Sequence, residues 1–109
     1  SASLLQTFRK VVEIPELKPA FSDDAVVKNE MDIHTADGRI IRPDRYAETK
    51  NGTILIDYKT GKPDEKYHAQ LQNYMVALMQ MNGSQDIRAY LVFLGYDIKI
   101  DEVRLDKLF

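Results

Sequence analysis

Residues 53–61, with the sequence Thr-Ile-Leu-Ile-Asp-Tyr-Lys-Thr-Gly, decide the fold of this chain. The apolar run Ile-Leu-Ile predicts that residues 53–59 form a buried central strand. Asp57 and Lys59 are two positions apart, so their side chains point to the same face of that strand. An ionised carboxylate in a buried strand is costly unless it is paired or bound to a metal. Asp57 is therefore a candidate metal ligand, and the alternative is an ion pair with Lys59 or Arg45.

A second carboxylate belongs to the same prediction. Asp44, in an Arg-Pro-Asp-Arg run, lies 57 − 44 = 13 positions before Asp57, across a Lys-Asn-Gly turn at residues 50–52. Two antiparallel strands joined by that turn bring the carboxylates together, and because like charges repel, their pairing indicates a cation between them. The backbone carbonyl of Tyr58 is a candidate third ligand, since magnesium prefers oxygen donors. The alternative is that Asp44 caps a turn after Pro43.

Lys59 adds a positive charge beside the carboxylate pair. Its ammonium can orient an attacking water or stabilise charge that builds up on a phosphate, which is the chemistry of metal-dependent phosphodiester cleavage. The alternative for Lys59 is a solvated lysine at a strand end. Two weaker candidates are Glu30, which either joins the site from the side or is solvated, and Arg45, which pairs either with phosphate or with a nearby acid.

A helix is predicted downstream, over residues 63–81, because Pro-Asp-Glu suits a first turn and Asn-Gly a helix end. Gln70 and Tyr74 are four positions apart and lie one above the other on this helix, and Tyr67 continues the row. In the functional interpretation Gln70 and Tyr74 lean over the site and contact the DNA backbone or the lysine. In the alternative, both tyrosines belong to the core and Gln70 lies at its boundary.

The remaining elements follow from periodicity and turn signals. The predicted order is a helix, three strands in a meander, the long helix, and one or two further strands. A helix between the third and fourth strands implies a right-handed crossover with parallel pairing, so the sheet is predicted to be mixed. Besides the strand and helix already given, the expected segments are a helix at 3–12 and strands at 25–34, 39–48, 87–94 and 98–105.

Composition limits the possible classes of protein. The chain has 109 residues, 44% apolar and 29% charged, with a net charge of −2, as expected for one small globular domain, residues 1–109, without a general basic signature. It contains no cysteine, which excludes disulfides, zinc–thiolate sites, iron–sulfur clusters and cysteine catalysis and fits a cytoplasmic location. Neither a membrane span nor a signal peptide is predicted. We expect the chain to be a piece of a longer one.

Three motifs together resemble one family. They are Arg-Pro-Asp44-Arg, then Ile-Asp57-Tyr-Lys59-Thr-Gly-Lys, then a helix with Tyr-x-x-Gln70-Leu-x-x-Tyr74. This combination is similar to the PD-(D/E)XK nuclease superfamily and, more narrowly, to the RecB-like nuclease domain at the C-terminus of UvrD/AddA-type helicase–nucleases. The resemblance covers about residues 29 to 93 and implies an α/β, restriction-endonuclease-like core, which agrees with the predicted element order.

The resemblance also implies a function. It assigns Mg²⁺ or Mn²⁺ to Asp44, Asp57 and the carbonyl of Tyr58, a catalytic role to Lys59, and cleavage of single DNA strands as a helicase motor unwinds duplex. The implied partners are DNA, helicase domains of the same parent chain and a partner subunit, with no membrane. The family's usual metal-ligand histidine is missing from residues 1–12, which favours weak metal binding by this chain alone. Without cysteines, the chain resembles the branch that lacks an iron–sulfur cluster.

Other interpretations stay open at this point. One is a catalytically degenerate nuclease fold that serves as a DNA-binding or scaffolding module, which the missing histidine and the negative net charge favour. Another is a stand-alone phage-type exonuclease or a restriction endonuclease of the same superfamily. A third is an α/β domain in which the charged cluster is a fortuitous set of ion pairs.

Overall fold

The protein is built on a five-stranded mixed sheet that carries helices on both faces. The computed structural model describes residues 2–29, 31–34, 37–82, 86–95 and 97–105. In chain order, the elements are α1 (Ala2–Glu13), a 3-10 helix (Lys18–Phe21), β1 (Val26–Val27), β2 (Ile33–His34), β3 (Ile40–Ile41), β4 (Arg45–Thr49), β5 (Gly52–Lys59), α2 (Glu65–Asn82), β6 (Ile87–Leu94) and β7 (Ile98–Val103). The central sheet has the strand order β1-β4-β5-β6-β7, and β2 pairs with β3 in a separate two-stranded sheet.

Strand pairing confirms the mixed sheet predicted from the sequence. β4 pairs antiparallel with both β1 and β5, β5 pairs with β6 in parallel, and β6 pairs antiparallel with β7. α2 connects β5 to β6, because two parallel strands cannot be joined by a tight hairpin. The expected fold class, an α/β restriction-endonuclease-like core, agrees with this architecture.

The first two predicted strands are broken in the structure, which corrects the expectation of two continuous strands. Residues 25–34 divide into β1 and β2, and residues 39–48 divide into β3 and β4. Pro43 lies between β3 and β4 and has no N–H to donate to a ladder. The pairing of β1 with β4 ends one residue after Val27, with a hydrogen bond of 2.9 Å from the Lys28 N–H to the Tyr46 carbonyl. The meander therefore consists of β1, β4 and β5, with the β2–β3 hairpin inserted into it.

The other elements begin and end within two residues of their predicted bounds. β6 has the predicted bounds, α1 extends the predicted helix by one residue at each end, and β7 ends at Val103 rather than at residue 105. α2 begins two residues later than predicted, because the side chain of Asp64 accepts a hydrogen bond from the Lys66 N–H at 3.0 Å and caps the helix. No helix within the described ranges is long and apolar enough to cross a membrane.

Two apolar clusters hold the layers together, one on each face of the sheet. Alternate residues of β5 belong to different clusters: Leu55 packs on the side of α2, whereas Ile54 and Ile56 pack on the side of α1 and the 3-10 helix. Asp57 and Lys59 have the parity of Leu55, so their side chains face α2. The buried α2-side residues are Ile41, Tyr46, Leu55, Leu71, Tyr74, Met75, Leu78, Ala89, Leu91, Phe93 and Val103.

The turn between β4 and β5 fixes the register of the two strands that carry the carboxylates. Gly52 adopts a φ of +121°, a conformation that other residues rarely take. A Cβ at this position would lie 2.5 Å from the carbonyl oxygen of Asp86, so a side chain is excluded sterically as well. Glycine at the predicted turn thus lets β4 and β5 pair from Thr49–Gly52 to Arg45–Ile56.

Candidate active site

The register of β4 and β5 places Asp44 opposite Asp57. The last pair of the ladder is Arg45 with Ile56, and the next position outward on each strand is Asp44 or Asp57. Asp44 is one of the neighbours that raise the pKa of the Asp57 carboxyl, as expected for two acids in close proximity. The structure therefore brings together the two acids that the sequence predicted to be neighbours.

Asp57 lies in surroundings that disfavour its ionised form. Its side chain is only 18% exposed. Burial raises the pKa of the Asp57 carboxyl above its ordinary value, the contact with Asp44 raises it further, and the Lys59 ammonium opposes this without cancelling it. The negative charge of Asp57 is thus incompletely compensated, which a bound cation would correct.

Asp44 is exposed and holds the end of β5. One of its carboxylate oxygens accepts a hydrogen bond from the Tyr58 N–H at 2.8 Å, just beyond the point where β4 stops pairing. Asp44 therefore has a capping role, although it caps the β5 backbone rather than a turn after Pro43. The N–H and C=O of one strand residue point toward the same neighbouring strand, so the Tyr58 carbonyl faces the side on which Asp44 lies.

Lys59 is held between two partners. Its ammonium lies 3.0 Å from a carboxylate oxygen of Asp57 and 4.5 Å from the centre of the Tyr67 ring. With 21% of its side chain exposed, Lys59 is not a freely solvated strand-end lysine. The Asp57–Lys59 ion pair considered from the sequence is present, and it occurs together with the carboxylate pair.

Asp57 and Lys59 line a narrow cleft between α2 and the β2–β3 hairpin. The cleft has a volume of about 160 Å³, and Gln70 of α2 lines it together with Asp57 and Lys59. Larger depressions of about 400 and 450 Å³ lie elsewhere on the protein. The feature that distinguishes this cleft is therefore its charged cluster rather than its size. The other lining residues are Ile40, Ile41, Arg42, Pro43 and Leu71.

Arg45, one of the predicted supporting residues, lies away from the cleft. Arg45 points to the opposite face of the sheet, where its Nε donates to the Ala20 carbonyl at 3.0 Å and its guanidinium lies 4.2 Å from the centre of the Phe21 ring. It is therefore not an ion-pair partner of Asp57. Glu30 lies outside the described residues.

Tyr74, another predicted supporting residue, has no exposed side-chain surface that could contact DNA. Its side chain is fully buried, and its hydroxyl donates a hydrogen bond to the carbonyl of Met31. Burial raises the pKa of the Tyr74 hydroxyl, so it remains a neutral donor. This bond ties the segment before β2 to α2 and so supports the wall of the cleft. Gln70, one helical turn earlier, is the member of the pair that reaches the cleft.

Two features of the site were not predicted from the sequence. The contact between the Tyr67 ring and the Lys59 ammonium joins residues that the sequence assigned to core and site separately. The row of Tyr67, Gln70 and Tyr74 was the available signal, since it shows that Tyr67 shares a helix face with Gln70. The wall formed by residues 40–43 was missed because it depends on the break at Pro43.

The donor set fits a hard divalent cation. Two carboxylates and a backbone carbonyl are the oxygen ligands that Mg²⁺ and Mn²⁺ accept, with water completing the coordination. Among the described residues, no group of three or more His, Cys, Asp or Glu side chains is arranged to hold a metal ion. In the part of the chain that the structure describes, the side chains that could hold a metal ion at this place are Asp44 and Asp57.

Comparison with known proteins gives one family. No curated protein and no solved structure gives a significant match to the chain. The family model of the PD-(D/E)XK nuclease superfamily matches residues 12–107, which include both carboxylates, Lys59 and all of α2. Since this match covers most of the sequence and the fold agrees with it, the chain belongs to the PD-(D/E)XK nuclease superfamily.

Proposed function

We propose that the chain is a Mg²⁺- or Mn²⁺-dependent deoxyribonuclease domain that hydrolyses phosphodiester bonds. The observation that carries this proposal is the placement of Asp44, Asp57 and Lys59 at one end of the β4–β5 ladder, beside a cleft lined by Gln70. Two acids in contact destabilise each other unless a cation is shared, and such arrangements are typical of functional sites.

The roles of the residues follow from their positions. Asp44 and Asp57 would hold the metal ion, with the Tyr58 carbonyl as a further ligand. When bound, the ion would polarise the phosphate and lower the pKa of water. Lys59 places its ammonium in the partly buried cleft, where it would stabilise negative charge on the phosphate or orient the attacking water. Gln70 supplies an amide to a phosphate or sugar oxygen of DNA.

The wider setting is also part of this proposal. The similarity of the three motifs to RecB-like domains supports a role in a cytoplasmic helicase–nuclease of recombinational DNA repair, with residues 1–109 as one domain of the parent chain. DNA, the helicase domains and a partner subunit would then be its partners. A stand-alone phage-type exonuclease is the alternative enzyme, and helicase motifs upstream in the full-length gene would exclude it.

A non-catalytic module is the second candidate function. A net charge of −2, and a proposed metal site with no third acidic side chain among the described residues, favour a degenerate nuclease fold that binds DNA or serves as a scaffold. Such a module would bind DNA without cleaving it in the presence of either metal. Catalysis therefore separates the two candidates.

Cleavage of end-labelled single-stranded and duplex DNA in Mn²⁺ tests the proposal. We expect cleavage by the wild-type chain, none after addition of EDTA, and a loss of at least about a hundredfold in Asp57→Ala and Lys59→Met. The matched controls are Asp23→Ala and Lys10→Met, which remove exposed charges away from the cleft. Cleavage by Asp57→Ala at the wild-type rate would contradict the assignment, and DNA binding without cleavage would favour the module.

A further inference from the structure

We propose that Tyr67 is a positioning residue that holds the ammonium of Lys59 in the cleft through the face of its aromatic ring. This inference rests on the proposed function, because the position of the ammonium matters only if Lys59 acts on DNA. Nothing in the proposed function itself requires an aromatic residue at this place.

The geometry is that of a cation–π contact. The Lys59 ammonium lies over the Tyr67 ring, 4.5 Å from its centre, well inside the range in which the negative ring face attracts a cation. Both side chains are partly buried, which strengthens the attraction relative to a contact in open solvent. The ring itself is packed against the α2-side core, so it has a fixed position.

The helix start places the ring over the lysine. Asp64 caps α2 through the Lys66 N–H, and the Tyr67 N–H donates to the Asp64 carbonyl at 3.0 Å. Tyr67 therefore lies in the first turn of α2, directly after the loop that leaves β5 at Lys59. The capped helix start and the short connecting loop therefore place the ring next to the ammonium.

A metal ion on Asp57 would weaken the attraction between that carboxylate and Lys59. Lys59 lies 3.0 Å from Asp57, which is also a proposed metal ligand, so a bound cation competes with the ammonium for that carboxylate. The Tyr67 ring carries no charge to be neutralised by a cation. It can therefore retain the ammonium in the cleft when the attraction of Asp57 is weakened.

A second cation lies near the same ring and provides a control. The Lys66 ammonium is 5.5 Å from the ring centre, but its side chain is 72% exposed and it also approaches Asp64 at 3.9 Å. Its attraction to the ring is weakened by solvent. Lys66→Met should therefore leave DNA cleavage unchanged.

The test varies the electron density of the ring while its shape is kept. Tyr67→Phe should retain cleavage, and phenylalanines with one, two and three ring fluorines at this position should lower kcat progressively, because each fluorine withdraws electrons from the ring face. Tyr67→Leu, which is apolar but has no ring, should lower kcat by about 3- to 30-fold. Melting temperature and Mn²⁺ affinity should stay the same along the fluorinated series. A kcat that does not depend on fluorine content would overturn the inference.

A spectroscopic readout separates this inference from the proposed function. The methylene protons next to the Lys59 ammonium should resonate upfield in the metal-free wild type, because the ammonium that they adjoin lies over the ring, and should return to ordinary positions in Tyr67→Leu. Ordinary positions in the wild type would overturn the inference whatever the activity. Wild-type cleavage by Lys59→Met would instead overturn the proposed role of Lys59, while the upfield shift would still report the contact.

Discussion

Replacing Asp57 by asparagine should stabilise the metal-free protein, although it removes a proposed metal ligand. Asp44 repels the Asp57 carboxylate and Lys59, at 3.0 Å, attracts it, and each interaction is on the order of 4 to 6 kcal/mol at an effective dielectric constant of about 20. The two interactions oppose each other, and burial of the carboxylate, the largest cause of its raised pKa, makes the net effect unfavourable to the charged form. We expect Asp57→Asn to gain about 1 kcal/mol, within the range for substitutions that relieve functional sites. That corresponds to a rise of about 4 °C in melting temperature.

Metal should reverse this order of stability. At a free Mn²⁺ concentration about 100 times the Kd, wild type gains about 2.7 kcal/mol by binding, whereas the variant gains nothing. Wild type should then be the more stable protein by roughly 1.7 kcal/mol. Thermal melts of both proteins in EDTA and in Mn²⁺ measure this crossing, with Asp23→Asn as the exposed control. A variant that is less stable than wild type in EDTA would refute the reasoning, because the Asp57–Lys59 ion pair would then be a net structural bond.

Four further outcomes are expected. Asp44→Asn keeps an oxygen that can cap the β5 backbone N–H and removes a negative charge that repels Asp57, so it should lose Mn²⁺ binding and melt above wild type in EDTA. Asp44→Ala loses the cap as well, and should be less stable than Asp44→Asn by about 1 kcal/mol in urea unfolding. Tyr74→Phe leaves the Met31 carbonyl without its donor and should cost about 1–3 kcal/mol in the same assay, with Mn²⁺ affinity unchanged. Gln70→Ala should raise the KM for DNA about tenfold at unchanged Mn²⁺ affinity, and an unchanged KM would remove it from the DNA contact. Folding raises the pKa of Asp57 above its ordinary value of 3.8. The metal-free wild type is therefore most stable below pH 3.8, where Asp57 is protonated in both states, and it loses stability as the pH rises through the raised pKa. The stability advantage of Asp57→Asn over wild type should accordingly vanish in acidic melts and persist at neutral pH.

The sequence predicted the fold best where turn signals and the apolar pattern of a strand point to the same structure. The apolar run before Asp57 and the Asn-Gly turn at residues 50–52 predict β5 and its hairpin, and the turn requires the glycine found at position 52. That register is enough to predict the contact between Asp44 and Asp57, because side-chain alternation in a paired strand leaves little freedom.

The parts that were not predicted depend on interactions between distant segments. The β2–β3 hairpin, which forms one wall of the cleft, is separate from the central sheet because Pro43 interrupts the hydrogen-bond ladder. The alternation of apolar and polar residues does not reveal this break, because it looks the same before and after Pro43. Arg45 was placed near the acids by sequence spacing, but its parity turns it to the opposite face, toward Phe21. The contact between Tyr67 and Lys59 depends on where α2 begins, and sequence rules leave helix ends uncertain by a few residues.

Calorimetric titration of Mn²⁺ into the wild-type chain, Asp57→Ala and Asp23→Ala tests the central claim most directly. The claim is that the Asp44–Asp57 pair is a metal site. It predicts one saturable binding event in wild type, its retention in Asp23→Ala and its loss in Asp57→Ala. Equal binding by wild type and Asp57→Ala, or no binding by any of the three proteins, would contradict it.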